Sequence, residues 1–160
     1  MLLRSLILAL AFSLPAHAQT KFGEHVPPPG APPQAFKPLE ERKDVVSWRL
    51  LAQVELVRVK NRYEPQFSGN VTALDRKEVK LQGFMMPLEM GDKQSHFILA
   101  AVPQTCAFCL PGGPEQMVEI KSKVPVKYTF EPILLSGRLA VLKDDPSGVF
   151  YRLTDAVPAK

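Results

Sequence analysis

Glu78-Val79-Lys80-Leu81-Gln82-Gly83-Phe84-Met85 alternates polar and apolar side chains up to Gly83. A period of two puts Val79 and Leu81 on one face of an extended chain and Lys80 and Gln82 on the other, the pattern of a half-buried β-strand. A glycine inside such a strand weakens the ladder and marks a bulge or a sharp coil. The stretch therefore predicts a strongly bent strand, and curved strands are what small barrels are made from.

Reading outward, Gly91-Asp92-Lys93 turns the chain and His96 to Val102 is an almost continuous apolar run with the look of a buried strand. Met117 to Ile120 predicts a short strand, and Ile133 to Leu142 another with Gly137 inside it. Asp144-Asp145-Pro146-Ser147-Gly148 is a turn into Val149 to Leu153. Toward the N-terminus, Leu50 to Lys60 fits both a period of two and a helical stripe, and we read it as a strand. Tyr63 to Gly69 is a connection, and Ser68 to Leu74 makes one helical turn. No segment carries a long helical period. Five or six short strands with glycine kinks bury one apolar face and hide their edges by wrapping. The expected fold is all-β, a five- or six-stranded barrel of OB-fold type with a disordered N-terminal tether; a two-layer sandwich is the alternative.

The first residues bear on the compartment. Arg4 precedes the apolar run Leu6 to Phe12, followed by Pro15 and the small residues Ala16 and Ala18, so residues 1–18 are expected to be a cleavable secretory signal. Its apolar core of about ten residues is well short of the roughly twenty that a spanning helix needs. The mature chain is expected to be periplasmic or secreted, with no stable membrane insertion. Residues 19–44 contain Val26-Pro27-Pro28-Pro29-Gly30-Ala31-Pro32-Pro33 and read as a Pro-rich flexible tether, leaving residues 45–158 as one β-barrel domain. The formal net charge of +4 comes from basic residues interspersed among acidic ones. With no basic run and no interleaved aromatics, a nucleic-acid partner is not expected.

Chemistry concentrates in Thr105-Cys106-Ala107-Phe108-Cys109-Leu110-Pro111-Gly112-Gly113-Pro114-Glu115, which holds both cysteines. The CxxC pair has three readings. A redox pair needs a thiolate favoured by a helix N-terminus, and Leu-Pro-Gly-Gly-Pro cannot start a long helix. A permanent disulfide would shape the loop while removing little unfolded-state entropy, because the ring is small. A transition-metal site, zinc first, would take both thiolates and needs two further donors, for which His96 and Glu115 are the candidates. For softer ions the thioethers of Met85, Met86, Met90 and Met117 are available. Carboxylates are scattered, and no nucleophile elbow, phosphate-cradling glycine loop or HExxH motif occurs. A non-enzymatic binding or accessory role is therefore expected.

Three stretches, Val79 to Glu89, His96 to Leu99 and Cys106 to Gln116, continuing into Ile133 to Leu139, closely resemble the bacterial exported family known as domain of unknown function 3299. The resemblance covers roughly residues 48 to 157. Members of that family often occur beside ABC-transporter genes, some of them in zinc-responsive clusters. The resemblance thus implies an accessory role in envelope metal handling, with a transporter component or another periplasmic protein as partner. In many members the loop runs Cys-x-His. Here Phe108 takes the histidine's place and Cys109 follows it, which suits either a retained metal site or a disulfide.

Overall fold

The computed structural model of the protein describes residues 39–103 and 112–160. The expected signal (1–18), most of the expected tether (19–44), and both Cys106 and Cys109 lie outside the described residues. Among the described residues the strands are β1 (Val54–Val59), β2 (Arg62–Phe67), β3 (Glu78–Pro87), β4 (Lys93–Ala100), β5 (Met117–Lys127), β6 (Ile133–Val141) and β7 (Tyr151–Pro158). Strands β3 to β7 close a barrel in the order β3-β4-β5-β7-β6. Every neighbouring pair is antiparallel except β5 and β7, which run parallel. This is a five-stranded barrel of the OB type, as the alternation and the glycine kinks predict.

The bend expected at Gly83 is a change of partner. β3 pairs with β6 from Glu78 to Gly83 and with β4 from Phe84 to Pro87, so one strand serves two sides of the barrel. A Cβ on Gly83 would lie 2.6 Å from the Ala100 carbonyl oxygen, 2.8 Å from Leu99 Cγ and 3.1 Å from Trp48 Cζ2. Only glycine allows the β4 backbone and an indole ring to come so close.

Alternation then fills the interior. Leu81 from β3, Phe97 and Leu99 from β4, Val118 and Ile120 from β5, Leu135 and Leu139 from β6 and Leu153 from β7 are all fully buried. Two four-residue helices, α1 (Trp48–Leu51) and α2 (Gly69–Thr72), each add one fully buried side chain, Leu51 and Val71. Their serine N-caps follow from sequence, with Ser47 Oγ accepting from Leu50 N at 3.2 Å and Ser68 Oγ from Val71 N at 3.3 Å.

Outside the barrel the structure differs from the expectation in two places. Tyr63 to Gly69, read as a connection, holds all of β2 but its first residue, and β2 pairs with β1 in a separate two-stranded ribbon. Pro65 is tolerated there because a ribbon strand has an edge where a missing N–H is harmless. Phe67, at the end of β2, packs edge-on against Phe150 at 5.8 Å and tilted against Tyr151 at 5.7 Å, contacts with no trace in the local pattern. Leu50 to Lys60, read as a strand, is one from Val54 to Val59, whereas Leu50 and Leu51 end the single-turn α1.

Candidate functional site

The cysteine loop leaves β4 and returns into β5 on feet that are zipped together. Ala100 pairs with Met117, and Ala101 N donates to the Gln116 carbonyl at 3.1 Å. The chain enters β5 through a 3-10 turn, Pro114–Gln116, closed by Gln116 N donating to the Gly113 carbonyl at 2.9 Å. Proline at the first position of that turn fixes its φ and gives up a donor that would have had no partner. The turn packs beside α1.

Glu115 sits in this turn and is only 5 % exposed. Its carboxylate folds back over Gly113, where a Cβ would come within 2.6 Å of Oε1, so the glycine leaves room for it. Its charge reaches Tyr151, whose phenol is pushed above its ordinary range first by burial and then by Glu115. The Tyr151 hydroxyl donates to the Leu51 carbonyl at 2.5 Å, tying the barrel end to α1.

His96 has a different environment. Its Nε2 lies 2.8 Å from Glu119 Oε1, while Arg152 Nε donates to Glu119 Oε2 at 2.5 Å and Arg152 Nη2 donates to Asp145 Oδ2 at 2.8 Å. Asp145 Oδ1 accepts from Ser147 N at 2.9 Å. The register explains the grouping: His96 pairs with Lys121 and Ile98 with Glu119 across β4 and β5, and Glu119 pairs with Arg152 across β5 and β7. Burial alone would push the Glu119 carboxyl up; hydrogen bonds from Arg152 and His96, with the charges of Arg152 and Lys121, outweigh it and hold the group below its ordinary value. The Ser147 backbone N–H, then Arg152, hold Asp145 low as well. Burial likewise works against the Arg152 charge, and its two carboxylate partners raise its pKa all the same. This row of alternating charges stitches three strands together on the outer face of the barrel.

The two predicted non-cysteine donors are thus placed apart. His96 precedes Ala100 by four residues on β4, and Glu115 precedes that residue's partner Met117 by two. By rise per residue they are roughly 17 Å apart along the strands. Among the described residues no three His, Cys, Asp or Glu side chains gather in a metal-sized group. The Glu119, Arg152 and Asp145 row was not singled out from sequence. Only the Asp145 turn had a local signal, since the rest depends on the parallel pairing of β5 with β7.

The family model described as "Protein of unknown function (DUF3299)" matches residues 43–154. The chain belongs to the DUF3299 family. The matched span takes in the whole cysteine loop as well as His96, Glu119 and Arg152. No curated protein matches the chain. Among solved structures it is similar to a crystal structure of a DUF3299 family protein from Pseudomonas aeruginosa PAO1, at 25 % identity, over 55 % of this chain and 64 % of that one, with a TM-score of 0.46. The match thus spans less than two thirds of that family member.

Proposed function

We propose that this DUF3299 protein is an exported, non-enzymatic accessory protein that binds a transition metal, zinc first, through Cys106, Cys109 and Glu115, in support of an envelope ABC-transport system. The observation that carries this reading is the Glu115 carboxylate, buried in the 3-10 turn at the foot of the cysteine loop. A buried carboxylate needs a counter-charge or donors, and a cation held by the loop's sulfurs supplies one. Two thiolates and one carboxylate leave the fourth tetrahedral position of zinc for water or a donor from the partner, which suits a protein that hands metal on. His96 is left out of this set because Glu119 holds its Nε2 on the outer face, away from Glu115.

Metal analysis of protein kept reduced tests the proposal. The wild type is expected to retain about one zinc per chain, Cys106→Ser almost none, and Glu115→Gln to bind more weakly, while His96→Ala keeps the wild-type content. Equal, near-zero zinc in wild type and Cys106→Ser overturns it. Absence of free thiols in protein taken from its own compartment would instead favour a permanent disulfide.

A further inference from the structure

The β1–β2 ribbon lies outside the barrel, and its two edges differ. Ser68 N donates to the Gln53 carbonyl at 3.0 Å, so these residues form a bonded pair just beyond the ladder's end at Val54 and Phe67. Bonded pairs alternate along antiparallel strands. Val57 therefore turns its backbone N–H and carbonyl toward Glu64, whereas Leu56 and Arg58 turn theirs away from β2, and Tyr63 and Pro65 turn theirs away from β1. Pro65 has no N–H to offer, which guards the β2 edge against a further strand. The β1 edge has no such guard, and among the described residues no third strand covers it. Leu56, on that edge, is 43 % exposed and lies directly opposite Pro65, so the two side chains share a face.

We propose that the open edge of β1 pairs antiparallel with the β1 edge of a second copy of this chain, Leu56 lying opposite its own counterpart on the two-fold axis. Two copies of one strand can join about an axis normal to the sheet only in registers that keep every side chain on its own face, so a residue opposes itself or one an even number of places away. Charge and apolarity choose among these registers. Centring on Glu55 or on Arg58 sets like charges directly opposite, which is unfavourable, and centring on Val57 sets Leu56 against Arg58. Centring on Leu56 opposes Leu56 to Leu56, Glu55 to Val57 and Val54 to Arg58, and runs one apolar row, Pro65-Leu56-Leu56-Pro65, across the joined ribbons. The backbone agrees with that register. Each Leu56 N–H donates to the other Leu56 carbonyl, and each Arg58 N–H to the other Val54 carbonyl. The Val54 N–H is not called on, as it already donates to the Ala52 carbonyl at 2.9 Å. An unrelated extended segment would find the same backbone groups, but the second copy also answers the side chains.

Sedimentation equilibrium of the exported chain, kept reduced, is expected to show monomer and dimer in exchange at micromolar to submillimolar concentration. Leu56→Glu sets two carboxylates opposite each other on the axis and leaves the β1–β2 ladder untouched, so it should raise the dimer dissociation constant at least about tenfold. Single cysteines in a Cys106→Ser/Cys109→Ser background test the register. Leu56→Cys should give a covalent dimer on mild oxidation, because opposed Cα atoms of a bonded pair lie about 5.5 Å apart, within disulfide reach. Val57→Cys should not, since the two copies of that position are offset by about 7 Å along the strands. A wild-type chain that stays monomeric throughout, which would leave the edge to an extended segment of another protein, overturns the proposal. So does a folded Leu56→Glu that dimerises as tightly as wild type, or cross-linking through Val57→Cys and not Leu56→Cys. The wild-type measurement stands however the variants fold, and it does not involve the cysteine loop.

Discussion

At position 83 a single hydrogen in place of a methyl group allows β3 to leave β6 and join β4. The gap between Gly83 and its neighbours is closed by backbone and by the anchored Trp48 ring, neither of which is a flexible side-chain end. Gly83→Ala is expected to lower unfolding free energy by about 1–3 kcal/mol, measured by urea titration. Gly69→Ala is the matched control: it has nothing within 4 Å of its Cβ position and lies at the start of α2. That change should be neutral or stabilising by up to about 1 kcal/mol. Equal stability of Gly83→Ala and wild type would contradict the crowded corner. The need for glycine at 83 was legible, because a glycine that interrupts a clean alternation marks a kink or a close backbone approach. The Tyr151 to Leu51 hydrogen bond was not, since it joins positions 100 residues apart.

Between elements, the outer-face row from His96 to Asp145 makes a pH-dependent contribution whose sign follows from its carboxylates. Glu119 and Asp145 are both held below their ordinary values, so the folded chain binds fewer protons than the unfolded one in the acid range. Their stabilisation is complete above the unfolded carboxylate range of about pH 4 and is lost as pH falls through the lower folded values. Thermal unfolding should therefore show Tm dropping from about pH 5 downward, with a shallower drop in Glu119→Gln. That variant should also be less stable at neutral pH, because Arg152 loses the charge of its partner. An unchanged acid slope in Glu119→Gln would contradict the role given to this row. Individual strands could be read from alternation because each carries its own period. The row could not, because β5 and β7 meet in parallel through a crossover that no local pattern announces. β2 was hidden for the opposite reason: Pro65 argues against a strand in isolation, and only packing of Phe67 on Phe150 and Tyr151 overrides it.

For the whole molecule, a closed barrel carries one long loop on zipped feet, and export of the chain is part of the same functional reading. N-terminal sequencing of protein recovered from the envelope should give a start near Gln19; a start at Met1 would contradict export through a cleaved signal. Cysteine spacing made the loop legible, as two sulfurs among prolines and glycines have few structural uses. Glu115 was legible as a candidate donor from its place beside the cysteines, but its burial at the loop's foot was not, since that depends on how the turn packs in the fold. X-ray absorption at the zinc edge on the reduced, zinc-loaded chain tests the metal reading most directly. Two sulfur neighbours at about 2.3 Å with oxygen at about 2.0–2.2 Å are predicted. A shell of nitrogen and oxygen alone, or a protein that retains no zinc, would contradict it.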